Sequence, residues 1–316
     1  MKRAVLLVAL VLSSPVAAEP IRIWGPPAMR GMVERWADAY RRTHPDATFE
    51  LTLKGSDTAI PGLYGGLADI ALMGRANDIV DDNGFSRTMT HDFTRIEIAN
   101  GSVSVPGKSD AIAILANKDN PIGGLSRAQL ASVIDCGKPG AVATWGGLGL
   151  KGTWASRPIR IYSYDLGTRT GRYFQQVVTA NGRRMCWNRI TEFGDGRRFD
   201  GTVEDAADRA GAAGRRDPAA LVIANPAQAR GGLKILPLDG VTPDENSIVS
   251  RRYPLARRVY AYVDRAPGKA LKPDVAAFLG WVLGTEGQAL VKADHGYLPL
   301  DPATASAQIA IIGETR

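Results

Sequence analysis

Three times along this chain a short apolar strand runs into a turn of small or hydroxyl-bearing residues that opens a helix. That repetition restricts the fold more than any other feature. The first instance is Ile21-Arg22-Ile23-Trp24-Gly25, entering a helix near Ala28. The second is Phe49-Glu50-Leu51-Thr52-Leu53, followed by Lys54-Gly55-Ser56-Asp57-Thr58. The third is Ile159-Arg160-Ile161-Tyr162, continuing through Asp165-Leu166-Gly167-Thr168-Arg169-Thr170. Strands alternating with helices build parallel sheets, because parallel neighbours need a crossover between them. The junctions also carry chemistry. A helix's first turn has N–H groups without intrahelical partners and about half a positive charge, so it holds anions. Three such junctions in one chain point to an anion receptor.

The N-terminus reads as an export signal. Lys2-Arg3 is basic, Ala4 to Leu12 is apolar, and Val16-Ala17-Ala18 offers a small-residue cleavage site after Ala18. The apolar run is shorter than the roughly 20 residues of a membrane span. The signal contains no cysteine for a lipid anchor. A soluble periplasmic protein that is not a lipoprotein is expected, and the mature chain is long enough for two domains. The formal net charge is +7, with 39 basic and 32 acidic residues. The densest basic runs, such as Arg215-Arg216, Arg251-Arg252 and Arg257-Arg258, are only pairs. Without a basic tract interleaved with aromatics, nucleic acid is not an expected partner. Cys136 and Cys186 are the only cysteines, and in an oxidising compartment a disulfide is the default. Fifty residues apart, and isolated from His44, His91 and His295, they lack metal-ligand spacing. Neither a metal nor a cofactor is expected.

Met29, Met32, Val33, Trp36, Ala37 and Tyr40 fall at helical spacing, and the helix should end before His44-Pro45. A strand at 48–53, a helix from Asp57 to Gly65 and a strand from Ala68 to Met73 complete a β-α-β-α-β opening. Residues 76–93 are polar and poorly patterned, and read as a loop. Strands are expected at 94–98, 111–116, 159–163, 220–224 and 257–263. Helices are expected at Ser126 to Ile134, 169–180, 202–212 and 272–283. No flexible linker separates two domains, so crossing strands should join them.

These stretches, in this order, resemble the phosphate-binding-protein branch of the type II periplasmic binding proteins, the receptors of ABC importers. The resemblance rests on Trp36-Ala37-Asp38-Ala39-Tyr40, Gly55-Ser56 with Gly65-Gly66-Leu67-Ala68-Asp69-Ile70, and Asn120-Pro121-Ile122 with Leu125-Ser126-Arg127-Ala128-Gln129-Leu130. It rests also on Thr144-Trp145-Gly146-Gly147-Leu148-Gly149, Tyr253-Pro254-Leu255-Ala256-Arg257, Gly284-Thr285-Glu286-Gly287-Gln288 and Gly296-Tyr297-Leu298-Pro299-Leu300. It implies an α/β fold of two lobes, each a mixed sheet flanked by helices, with two crossover strands as a hinge. Residues 19–108 and 255–316 would form the first lobe and 109–254 the second. A monomer that hands phosphate, or a related oxyanion, to a membrane permease follows, with no catalysis.

The family holds phosphate with helix-start amides, hydroxyls of the same turns, and often an arginine and a carboxylate. Carried onto this chain, the ligand set is Ala28, Ser56, Asp57, Thr58, Arg75, Gly167, Thr168, Arg169 and Thr170. Asp57 or Asp165 would accept the proton of a monoprotonated anion. The chain departs from the pattern at Pro27, Gly74 and Leu166, where hydroxyls are lost, and at Tyr162, where an arginine is usual; Arg160 or Arg169 are the candidates to replace it. Two rival readings remain. One is an exported sensor or interaction protein reusing the fold. The other is a phosphate-ester hydrolase with Asp57 and Asp165 as acid and base. The glycines of Gly147 to Gly152 match G-x-G-x-x-G, but no βαβ unit frames them.

Overall fold

The computed structural model describes residues 19–137, 139–179, 184–197 and 203–314. The expected leader, residues 1–18, lies outside them. The first junction is built as expected: β1 (Ile21–Trp24) leads through a 3-10 turn, Pro27–Met29, into α1 (Arg30–Thr43). Met32, Val33, Trp36, Ala37 and Tyr40 form the buried stripe of α1, and the Trp36 indole donates to the Gly287 carbonyl (2.9 Å). Next come β2 (Phe49–Thr52), α2 (Ser56–Tyr64) and β3 (Ile70–Met73).

Residues 76–93, expected as a loop, contain a helix, α3 (Ile79–Met89). Its start is fixed by polar chemistry: Asp78 and Asp81 form a reciprocal capping box. Only Asp81 and Phe85 of this helix are buried, so it has no apolar stripe for periodicity to detect. β4 (Thr94–Asn100) follows.

The chain then crosses to a second sheet with β5 (Ala113–Asn117), α4 (Arg127–Ile134), β6 (Arg160–Tyr164), α5 (Arg169–Val178) and β7 (Ile190–Phe193). A short hairpin of β8 (Gly196–Arg197) and β9 (Val203–Glu204) precedes α6 (Ala206–Arg215). β10 (Ala220–Ala224), β11 (Leu233–Ile235) and α7 (Glu245–Val249) complete this part. Residues 180 and 202, the outer ends of two expected helices, lie outside the described residues. The return crossing leads to β12 (Arg258–Val263), α8 (Pro273–Leu283), α9 (Thr285–Lys292) and α10 (Pro302–Gly313).

The first sheet has the order β2-β1-β3-β12-β4. β1 runs parallel to β2 and β3, and β12 runs antiparallel to β3 and β4. The second has the order β11-β5-β10-β6-β7, with β6 parallel to β7 and β10, and β5 antiparallel to β10 and β11. Every residue of β3, β5 and β10 is buried, as strands covered on both faces must be. The result is a two-lobe α/β fold of mixed sheets flanked by helices. The crossings lie side by side, with Gly101 N–H donating to the Arg257 carbonyl (2.9 Å) and Ile112 N–H to that of Leu255 (3.1 Å). Between Gly101 and Ile112 the first crossing is not a ladder strand but bends through a turn, with Gly107 and Ser109 at positive φ. Cys136 and Cys186 are bonded, tying the end of α4 to the turn before β7.

Candidate binding cleft

A cleft of about 500 Å³ opens between the two lobes, and all three strand-to-helix junctions reach it. At the first, Pro26 and Met29 line the wall rather than Ala28. At the second, Gly55 is the N-cap of α2 with φ +139°. Side chains rarely adopt that conformation, so glycine suits it, and neither Ser56 nor Asp57 caps the helix. Ser56 lines the cleft. The Thr58 hydroxyl instead donates back to the Gly55 carbonyl (2.8 Å) and does not reach the wall. At the third, Thr168 caps α5: its oxygen accepts from Gly171 N–H (3.0 Å) and its hydroxyl donates to the Asp165 carbonyl (2.6 Å). Gly167, Thr168, Arg169 and Thr170 all line the cleft.

Three arginines line the cleft. Arg75, at the end of β3, is only 9% exposed. It pairs with Asp81 and Asp78, the capping residues of α3, and its Nη2 lies 3.3 Å from Asp57 Oδ1. Burial works against its charge, but the Asp81 carboxylate outweighs burial and holds the guanidinium pKa above its ordinary range. Arg169 reaches across from the second lobe to pair with the other Asp57 oxygen. Burial, helped by repulsion from Arg172 and Arg257, lowers the Arg169 pKa. Asp57 therefore bridges two arginines of different lobes. Asp165 accepts the amide of Gly167, and neither it nor Asp57 is among the residues lining the cleft.

Arg257 is a cleft residue that sequence reasoning did not place in the site. It stands where the return crossing meets β12, again 9% exposed. It donates to Thr170 Oγ1 (2.9 Å) in one lobe and to the Gly74 carbonyl (3.3 Å) in the other. The Nε groups of Arg75 and Arg257 are both buried without a hydrogen-bond partner. Such donors are costly to leave unmade. The only signal for Arg257 was its place in the Tyr253 to Arg257 stretch.

The substitutions at the junctions have local explanations. A side chain at Gly74 would begin where Ser109 Oγ sits, so the hydroxyl lost from residue 74 is replaced by one from the first crossing. Ser109 lines the cleft. Tyr162 does not: its hydroxyl donates to Asp217 (2.9 Å), which also holds Arg160. The neighbour facing the cleft is Tyr164, whose burial raises its pKa well above the ordinary value. Asp110, Asp195 and Asp205 also line the cleft. Burial raises the carboxyl pKa of Asp110 and of Asp205 above the usual range.

The chain is 29% identical to the phosphate-binding protein PstS of Pseudomonas aeruginosa, over 92% of this chain and 85% of that protein. Among solved structures it is similar to PstS from Borrelia burgdorferi, with a TM-score of 0.61, 14% identity, and coverage of 90% of this chain and 100% of that one. It is also similar to an ABC-type phosphate transport receptor from Vibrio cholerae, with a TM-score of 0.56, 16% identity, and coverage of 88% and 100%. At these identities the structural likenesses speak for the fold alone. The family model for a PBP superfamily domain matches residues 13–286, and the chain belongs to that superfamily.

Proposed function

We propose that this protein is a periplasmic solute-binding protein that takes an oxyanion, inorganic phosphate first among them, between its lobes and delivers it to an ABC importer. The observation that carries the reading is the convergence of Arg75, Arg169 and Arg257 from three segments on one interlobe cleft, two of them with unpartnered buried N–H groups. An oxyanion would complete those donors and accept from the first-turn amides of α2 and α5. Ser56, Thr170 and Ser109 supply hydroxyls around it. The lobes are read as residues 19–108 with 255–316, and 109–254. The protein would act as a monomeric receptor, exported by its leader, with the importer's permease as partner. A receptor is preferred to an enzyme because Asp57 is held by two arginines and Asp165 by its own turn. The names of the similar proteins support phosphate as the ligand class. No helix of the described residues is long and apolar enough to cross a membrane.

The test is calorimetric titration of the mature protein, stripped of bound ligand, with phosphate and with sulfate. Saturable phosphate binding, weakened at least tenfold by Arg75→Gln, is the expected outcome. A folded protein that evolves no binding heat with either anion at several temperatures would exclude the reading.

A further inference from the structure

Two buried tyrosines, Tyr164 and Tyr297, line the cleft. Tyr164 ends β6 and packs into the core around the second sheet. Tyr297 packs into the core around the first, one residue before Leu298, which bridges to Asn100 at the end of β4. Tyr164 is 7% exposed and Tyr297 is 1% exposed. Buried phenol hydroxyls ordinarily find an acceptor. Those of Tyr253 and Tyr262, equally deep, donate to the carbonyls of Ile112 (2.7 Å) and Arg75 (3.3 Å). Among the described residues, none accepts a hydrogen bond from the hydroxyl of Tyr164 or of Tyr297.

Arg257 is the cation common to both. Burial raises the pKa of each tyrosine; Asp110 and Asp205 add to the rise at Tyr164 and Asp294 to that at Tyr297, while the Arg257 charge works against it at both. Each phenol therefore keeps its proton at neutral pH and is a donor. The guanidinium they share has an Nε–H without a partner.

Hydroxyls are otherwise in deficit. Against the family pattern they are lost at Pro27, Gly74 and Leu166, and Ser109 replaces only the one at Gly74. Of the other two, Pro27 precedes α1 in the first lobe and Leu166 precedes α5 in the second. Tyr297 and Tyr164 are divided between the lobes in the same way.

We propose that the hydroxyls of Tyr164 and Tyr297 donate to the bound oxyanion, one from each lobe, beside the Nε–H of Arg257. This rests on the oxyanion-receptor reading above and adds two residues to its site. Rooted in different cores, the two phenols tie anion binding to closure of the lobes.

The experiment titrates inorganic phosphate into the mature protein, stripped of bound ligand, and into Tyr164→Phe, Tyr297→Phe and Tyr162→Phe, with a thermal melt of each. Each of the first two substitutions deletes one hydrogen bond to a charged acceptor, so the Kd should weaken about 10- to 150-fold. Without phosphate their melting temperatures should not fall, because the deleted hydroxyl bonds to no protein group. Tyr162→Phe breaks the bond to Asp217 and should do the reverse, melting lower with its Kd within about threefold of the wild type. A wild type that binds phosphate, with either Tyr164→Phe or Tyr297→Phe within about threefold of it, overturns the inference and leaves the receptor in place. Equal weakening by Tyr162→Phe also overturns it, since the effect would then pass through β6 and not through the cleft. Failure of the folded wild type to bind phosphate removes the receptor reading, and this inference with it.

Discussion

Replacing Arg257 with glutamine is the sharpest test of the cleft. The guanidinium touches both lobes, through Thr170 Oγ1 at 2.9 Å and the Gly74 carbonyl at 3.3 Å, and keeps an unpartnered Nε–H. If that N–H donates to a bound oxyanion, its removal takes away one charge-assisted hydrogen bond, about 1.5–3 kcal/mol, or roughly a 10- to 150-fold weaker Kd. The substitution also acts on Asp110, whose carboxyl pKa is raised by burial and partly restored by the Arg257 charge. Without that charge the Asp110 pKa should climb further. A carboxyl whose folded pKa lies above its unfolded one adds stability below the ordinary carboxylate range and loses it as pH rises through the folded value. The variant should therefore melt lower than the wild type at about pH 7.5, and the gap should narrow toward about pH 5. Adding Asp110→Asn should restore much of the melting temperature without restoring affinity. Calorimetry and circular dichroism on the single and double variants separate the two effects. If Arg257→Gln melts lower yet binds phosphate within threefold of the wild type, Arg257 only props the lobes together and the ligand role is refuted.

Asp57 bridges Arg75 and Arg169, and on the proposed reading it would compete with the ligand for them. Exposed ion pairs contribute about 0.2–1 kcal/mol each, so Asp57→Asn should tighten phosphate binding by about 2- to 30-fold; weaker binding on titration would instead mark Asp57 as an acceptor of the anion's proton. Asp69 is held by Arg22 and Lys272, and although burial opposes them its carboxyl pKa falls to about 2. Its stabilisation, on the order of 1–2 kcal/mol once Lys272's exposure is allowed for, is present above the unfolded value and lost as pH falls through about 2. In urea unfolding Asp69→Asn should thus be destabilised at neutral pH and progressively less so in strong acid; a gap independent of pH contradicts this. Opening the Cys136–Cys186 loop, with its separation of 50 residues, by double alanine substitution should cost about 4 kcal/mol. A urea midpoint unchanged by that substitution would show that the bridge contributes nothing.

The parts of the fold legible in the sequence were those where one residue type performs one geometric task. The α1 stripe ends at His44-Pro45 because proline excludes helix from its predecessor. Ser126 and Gln129 announce α4 by capping chemistry. The same chemistry at Asp78 and Asp81 was passed over, since with so little of α3 buried no periodicity accompanied it. β7 and β11 were missed because they are short and lie at opposite edges of the second sheet, where neighbours decide pairing. In the cleft, the junctions and Arg75 could be found from strand ends, where ligands of open α/β sheets gather. Arg257, Ser109 and the aspartates at 110, 195 and 205 could not. They come from the crossings and from the stretch between β7 and α6, and only the folded geometry brings them to the junctions. Hydroxyl-counting misled for a related reason: the position lost at Gly74 is refilled from residue 109, which no local window contains.

The place of β12 has a consequence for how the chain reaches this state. All five strands of the second sheet lie between Ala113 and Ile235, so that sheet is complete once residue 235 has emerged. The first sheet is not. Its β3 and β4 are separated by β12, which begins only at Arg258. In an N-to-C order of emergence the second lobe can close its core while the first still presents two unzipped, apolar strand edges. Those edges, at Ile70–Met73 and Thr94–Asn100, are where an aggregating contact would start and where a holding chaperone would need to bind until the last fifth of the chain arrives.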